Sequence, residues 1–351
     1  YILKRLLNSP EIEYVVNACD AGREGELIFK HVYDLSGSKK PVKRLWISSL
    51  EDSAILDGMQ HLRSAEEYRH LAEAAVCRSQ ADWLVGMNAT RAYTTKYFKK
   101  LTVGRVQTPT LAMLVERAGQ ISNFQKEKYF NVELDCDGIP AVKSKIFDPD
   151  EAEQLRSRCQ GSEAIVTAVK ETEKKVKAPK LYDLTTLQRE ANRIYGMTAK
   201  QTLDTAQNLY EKKLITYPRT DSQYLTEDME QTARNVVRQI YEKYQLTGPF
   251  DQPEQPDVKK VMNNSKVTDH HAIIPTMELS SCHLDELKSW EEKILFLIAV
   301  HTVMAMSKEH VYQETEIEVE CQGEIFKAKG KTVLQDGWKL FENCFKNKDR
   351  M

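Results

Sequence analysis

A tyrosine and an arginine lie two residues apart in Leu214-Ile215-Thr216-Tyr217-Pro218-Arg219-Thr220-Asp221-Ser222. In an extended segment alternate side chains share a face, so Tyr217 and Arg219 would project together. A phenol with pKa near ~10 attacks phosphate poorly at neutral pH. A neighbouring guanidinium that stabilises phenolate and binds phosphate gives the pairing a chemical reason. The same spacing also suits a buried tyrosine beside a structural arginine.

Three further segments carry reactive side chains. Asp20, Glu24 and Glu26 fall where a short apolar run ends and a helical pattern begins. Carboxylates there can hold Mg²⁺ through hard oxygen ligands, or can simply complement the helix dipole. Thr268-Asp269-His270-His271-Ala272-Ile273-Ile274-Pro275-Thr276 sets two histidines after an aspartate able to orient an imidazole. Thr102-Val103-Gly104-Arg105-Val106-Gln107-Thr108-Pro109 joins a glycine, which permits close backbone approach, to an arginine able to meet phosphate. Taken one at a time, the histidine pair is more often structural and the other segment is just a basic turn.

The elements that must position these groups follow from patterning. Tyr14 to Ala18 is a β-branched run, and Leu27, Ile28 and Val32 recur at helical spacing, giving strand, acidic turn and helix. From Ser53 to Arg117 the pattern is mainly helical, with Leu71, Ala74, Ala75, Trp83, Leu84 and Met87 on expected buried faces and a loop over Leu101 to Pro109. Period-two alternation marks hairpins over 129–147, turning at Asp137-Gly138, and 313–329, turning at Gln322-Gly323; 163–172 reads as another strand. Between them, 182–275 is helical, with a C-terminal Gly196, a capping box at Thr198 and Gln201, and a Pro-rich loop from Gly248 to Pro256. That order predicts a helical block inserted into a β domain by two connections.

Composition bounds the rest. The 351 residues suffice for more than one core. With 50 Lys and Arg against 52 Asp and Glu, any nucleic-acid surface must be a local basic patch. The seven cysteines show no zinc-site spacing and read as reduced thiols. The most apolar stretch, 294–306, is shorter than the roughly 20 residues a bilayer requires. The chain opens on Tyr1 without an initiator Met, so a start within a longer protein is expected.

Together, Asp20-Ala-Gly-Arg-Glu-Gly-Glu26, Arg78-Ser-Gln-Ala-Asp-Trp-Leu-Val-Gly-Met-Asn88, Gly104-Arg-Val-Gln-Thr-Pro109, Ile215-Thr-Tyr-Pro-Arg-Thr-Asp-Ser222 and His270-His-Ala-Ile-Ile-Pro-Thr276 resemble the type IA DNA topoisomerases, and within them the topoisomerase III branch. The resemblance implies a multidomain fold, α/β plus mainly α, arranged as a toroid. Its expected parts are a partial Toprim domain (1–49), a helical domain (50–127), a discontinuous β domain (128–181 and 277–338), a tyrosine-bearing helical domain (182–276) and a tail (339–351). It implies ATP-independent cleavage, strand passage and rejoining of single-stranded or negatively supercoiled DNA through a 5′-phosphotyrosyl bond. Carried over by position, Tyr217 is the nucleophile, Arg219 its helper, His270 the active-site histidine, Asp20 and Glu24 the Mg²⁺ residues, and Thr102, Val103, Gly104, Arg105, Val106 and Gln107 the DNA-contacting loop. A monomeric, cytoplasmic, nucleoid-associated protein without a membrane segment is expected.

Two departures accompany the resemblance. The family's Asp-x-Asp-x-Glu pattern has Gly22 at its middle acid, leaving open whether Glu26 substitutes. The family's first Toprim strand, with a catalytic glutamate and lysine, is expected upstream of Tyr1, so this chain alone is expected to lack full activity. Two other readings compete. A winged-helix DNA-binding protein would use the helix pair before Tyr217 with Lys212, Lys213 and Arg219, and a Toprim-type nuclease or primase would use Asp20 and Glu24 but not Tyr217.

Overall fold

A computed structural model describes residues 1–47, 52–246, 256–267 and 270–346. The expected boundary at 49/50 and most of the Pro-rich loop fall outside the described residues. The chain divides into two compact units, one of residues 1–121 and 180–303, the other of residues 122–179 and 304–351.

The first unit opens with α1 (Ile2–Leu7), β1 (Val15–Asn17), α2 (Arg23–Ser36) and β2 (Val42–Arg44). β1 pairs parallel with β2, and β2 antiparallel with β3 (Arg63–Ser64). The strand, acidic turn and helix expected around Asp20 are present. After α3 (Asp52–Gln60) come the long α4 (Arg69–Tyr97) and α5 (Gln107–Ser122). The loop between these two ends earlier than the sequence suggests. Gln107 to Pro109 begin α5, because proline is tolerated in a first helical turn, where its missing N–H has no partner to lose.

The helical pattern of α4 correctly gives a helix but misjudges its burial. Ala75 is buried, whereas Trp83, Leu84 and Met87 are exposed. Helical periodicity tells which residues share a face and not whether anything covers that face.

α6 (Pro149–Cys159) belongs to the other unit, and in the second part of this one lie α7 (Leu184–Tyr195), α8 (Ala199–Glu211), α9 (Glu230–Tyr244) and α10 (Ser289–Ala305). Asp183 caps α7 by accepting from the Thr186 N–H at 2.6 Å. Gly196 ends α7 at φ 67, a left-handed conformation that glycine adopts without Cβ strain. The capping box of Thr198 and Gln201 opens α8 as the sequence predicts. Leu187, Ala191, Ala206 and Leu209 face a core completed by Val236, Ile240 and the almost wholly buried middle of α10.

The second unit is one antiparallel sheet and a helix. Its strands are β4 (Phe130–Cys136), β5 (Ile139–Ile146), β6 (Ile165–Val176), β7 (His310–Cys321) and β8 (Glu324–Gln335), with α6 (Pro149–Cys159) packed on β4 and β5. The spatial order is β4-β5-β8-β7-β6, so segments far apart in sequence share a sheet. Both hairpins turn at the expected pairs, with Asp137, Gly138, Gln322 and Gly323 all at positive φ, as tight type I′ turns require. The returning strand β7 starts at His310, close to the alternation read from 313, whereas the resemblance implies a return of the β domain from 277. Residues 277–303 pack with the first unit, and Met304 begins the return.

Candidate functional site

The Tyr217 segment is held against the histidine segment rung by rung. Thr216 N donates to Ile274 O (3.0 Å), Ile274 N returns to Thr216 Oγ1 (3.0 Å), and Thr216 Oγ1 donates to Ala272 O (3.0 Å). Further along, Thr220 Oγ1 donates to His270 O at 3.0 Å. Threonine hydroxyls thus satisfy backbone groups where regular pairing stops, which fixes Tyr217 and His270 on one side. Their rings lie 4.3 Å apart between centroids, and Tyr210 meets Tyr217 edge-on at 5.3 Å.

The acidic loop reaches the same place from α2. Tyr217 Oη donates to Asp20 Oδ2 at 3.0 Å, although the two residues are 197 apart in sequence. Burial, then the Asp20 charge and hydrogen bond, push the Tyr217 phenol well above its ordinary range, and Arg219 only partly offsets this. At neutral pH Tyr217 is therefore a neutral phenol whose hydroxyl donates to the Asp20 side chain.

Arg44, which no motif in the sequence singles out, positions that carboxylate. The side chain is 1% exposed and donates from Nη2 to Asp20 O (2.6 Å), from Nη1 to Asn17 O (2.9 Å), Cys19 O (2.7 Å) and Leu45 O (2.7 Å), and from Nε to Glu26 Oε1 (2.6 Å). Gly25 is equally constrained, since a Cβ there would stand 2.0 Å from Asp20 O. No local pattern marks Arg44. Its partners are assembled only when β1, β2 and α2 come together.

Asp20, Glu24, Tyr217, Arg219 and His270 line one cavity of about 430 Å³, joined by Arg78 and by Asp183 to Thr185. His270 is buried, and neither ring nitrogen has a hydrogen-bond partner of good geometry among the described residues, although the Ala21 backbone lies near enough to favour a proton. Burial, with His271 adding to it, lowers its pKa to about 4. At neutral pH it is an uncharged imidazole whose N–H can donate to a ligand. His271 is also buried and lowered, has Nδ1 2.8 Å from Ala272 O and does not line the cavity. Asp269, expected to orient an imidazole, lies outside the described residues.

Glu26 is already engaged by Arg44 and by Asn17 Nδ2 (3.2 Å), so it does not stand in for the acid that Gly22 replaces. Among the described residues no cluster of three or more carboxylate, histidine or cysteine ligands could hold a metal. Asp20 and Glu24 on an open cavity fit Mg²⁺ nonetheless, because that ion commonly takes one or two carboxylates and completes its shell with water and phosphate.

The loop from Thr102 to Gln107 does not line the cavity. Thr90 Oγ1 accepts from Val103 N (3.0 Å), and Gly104 N donates to Thr108 Oγ1 (3.0 Å). Arg105 grips Asp82 from Nε (2.5 Å) and Nη2 (3.4 Å). Asp82 lies 3.9 Å from Arg78, and Arg78 3.8 Å from Glu24, so a surface chain of charges links this loop to the acidic turn. Arg78 and Asp82 belong to a recognisable motif, but their link to Glu24 and Arg105 depends on tertiary contact.

The chain as a whole is similar to known proteins. The family described as DNA topoisomerase matches residues 66–351. DNA topoisomerase 3 of Bacillus subtilis is 42% identical over 347 residues, spanning 96% of this chain and 48% of that protein. DNA topoisomerase 3 of Staphylococcus epidermidis is 39% identical over 348 residues, spanning 97% and 49%. The chain therefore spans about half the length of the curated relatives it matches. Among solved structures, full-length topoisomerase I from Thermotoga maritima aligns with a TM-score of 0.76 at 25% identity, covering 97% of this chain and 57% of that one.

Proposed function

Because this chain belongs to the DNA topoisomerase family, we propose that it carries the strand-cleaving centre of a type IA enzyme, with Tyr217 attacking a phosphodiester of single-stranded DNA. The observation that carries the reading is the hydrogen bond from Tyr217 Oη to Asp20 Oδ2 within the cavity shared with Arg219 and His270.

In the proposed step Tyr217 Oη bonds to phosphorus as its proton passes to Asp20. The bond to the 3′ oxygen breaks, that oxygen takes a proton from water, and a 5′-phosphotyrosyl link remains. Arg219 and the neutral His270 ring donate to the phosphate oxygens, whose charge grows during attack. Asp20 and Glu24 would hold Mg²⁺, which when bound supplies further charge neutralisation. The ester's energy is kept in the phosphotyrosyl bond, so resealing needs no ATP. The loop from Thr102 to Gln107 would guide the strand. The division into Toprim, helical, β and tyrosine domains around a toroidal hole, and action on negatively supercoiled DNA, belong to the same proposal. A winged-helix module or a Toprim nuclease would leave the Tyr217 to Asp20 contact without a use.

End-labelled single-stranded DNA tests this. With Mg²⁺ present, denaturant should trap DNA on the protein, with label retained from the 3′ end and lost from the 5′ end, and Tyr217→Phe should abolish trapping. An adduct that persists undiminished in Tyr217→Phe would overturn the assignment. No helix among the described residues is long and apolar enough to cross a membrane.

A further inference from the structure

Among the described residues, lysines such as Lys212 and Lys213 meet carboxylates, those of Glu291 and Asp52. Two instead converge on a phenol. Lys266 Nζ donates to Tyr224 Oη at 3.5 Å and stands 4.9 Å from the ring centre. Lys180 Nζ stands 5.4 Å from the same ring and bears on the same hydroxyl. Neither lysine makes an ion pair among the described residues, and both are exposed while Tyr224 is half-buried.

The cluster is braced by buried contacts. Ser222 Oγ donates to Lys266 O at 2.9 Å and accepts from Tyr224 N at 3.2 Å. Leu225 N donates to Val261 O (2.8 Å) and Asn263 N to Leu225 O (2.9 Å), which ties the turn bearing Lys266 to the tyrosine. Lys180 is anchored through its carbonyl, which lies 2.7 Å from the buried His301 Nε2. These backbones continue the wall of the Tyr217 cavity, since Asp183 to Thr185 lie just after Lys180, and Arg219 to Asp221 just before Tyr224. Gln223 Nε2 joins the two segments by donating to Thr186 Oγ1 at 3.0 Å.

We infer that Lys180, Tyr224 and Lys266 form a subsite for the phosphodiester backbone of a nucleic-acid strand lying beside the Tyr217 cavity. Two ammoniums and the phenol O–H can each donate to an anion, and a phosphate between them would relieve the repulsion of the two cations. Partial burial pushes the Tyr224 phenol up, but hydrogen bonds from Lys180 and Lys266 overcome it and leave the phenol below its ordinary value, which shows how positive the spot is. Ammoniums already crowd the ring, so phosphate rather than a stacked base is the partner the geometry favours. The inference rests on the proposed attack of Tyr217 on a DNA strand.

The test is the salt dependence of single-stranded oligonucleotide binding by the full chain, compared with Lys180→Ala/Lys266→Ala and with Tyr224→Phe. Each lysine–phosphate pair removed should lower the slope of log affinity against log salt by about 0.7. Removal of both pairs predicts a slope smaller by roughly 1.4, or about 25-fold weaker binding at ~0.1 M salt if the proteins converge at ~1 M. Tyr224→Phe, which keeps both charges, should weaken binding with the slope retained. Lys174→Ala/Lys175→Ala removes equal charge from the sheet unit and should leave the slope unchanged. An unchanged slope in Lys180→Ala/Lys266→Ala, or an equal fall in the control, overturns the subsite alone. Absence of salt-dependent binding by the parent chain overturns both this inference and the proposed function.

Discussion

Replacing Arg44 with methionine removes a side chain that donates to the Asp20 carbonyl, three further carbonyls and the Glu26 carboxylate. The ion pair is almost dry, with the two side chains 1% and 9% exposed. Methionine fills similar space, so the dominant effect is a buried carboxylate left without its cation. Breaking a buried pair in this way costs about 3–5 kcal/mol. Urea unfolding followed by tryptophan fluorescence reads the loss, since Arg44 lies 5.0 Å from the Trp46 ring. Arg44→Met/Glu26→Leu removes the stranded charge and should recover at least ~1 kcal/mol of that loss. A local consequence at the site should accompany the loss. With the Asp20 loop released, the Tyr217 phenol should titrate below its parent value, because the Asp20 charge and hydrogen bond are among the causes raising it. A loss smaller than ~1 kcal/mol, or a double variant no more stable than Arg44→Met, would refute the account.

Two other predictions follow from the same geometry. Gly25→Ala places a methyl 2.0 Å from Asp20 O, so the acidic loop must shift, and adduct formation should fall by at least ~10-fold while the sheet unit unfolds as before; parent-like trapping would show that the loop can yield. Stability should also decline as pH drops from 6.5 to about 4. His270 and His301 are held neutral by burial down to about 4, whereas in the unfolded chain they protonate near 6.5, so the unfolded state binds more protons across this window. Each contributes about 3 kcal/mol of loss at the acid end. Denaturation across this pH range should show a slope that flattens in His301→Gln, and an equally steep slope in that variant would sink the assignment.

Local rules were legible in the sequence, and long-range ones were not. Asp137-Gly138 and Gln322-Gly323 announce their hairpins because few residues tolerate the positive φ of those turns. Thr198 and Gln201 announce the start of α8 because a capping box is complete within four residues. By contrast Trp83, Leu84 and Met87 have the spacing of a buried face yet stand exposed, since spacing says nothing of what lies opposite. Pro109 reads as loop but sits in the first turn of α5, where proline breaks no hydrogen bond. Arg44 is invisible for a deeper reason. Its role is to donate from one fork to the carbonyls of a loop that precedes it by a whole helix, and no periodicity encodes that meeting.

The histidine pair shows how the remaining ambiguity is resolved. His270 and His271 are equivalent as sequence, two imidazoles on one short apolar segment. Once the segment is extended, successive side chains must take opposite faces, so only one can look toward Tyr217. Which one is decided by register, and the register is set by the Thr216 and Thr220 hydroxyls reaching Ala272 O and His270 O. That pairing turns His270 into the cavity, with no well-formed hydrogen bond to its nitrogens among the described residues, and commits His271 to Ala272 in the interior. A slip of one residue would exchange them, placing a ring that already has a backbone contact beside Tyr217 and burying the other away from it. The threonines flanking Tyr217 therefore govern the chemistry of the site as much as the residues that would carry it out.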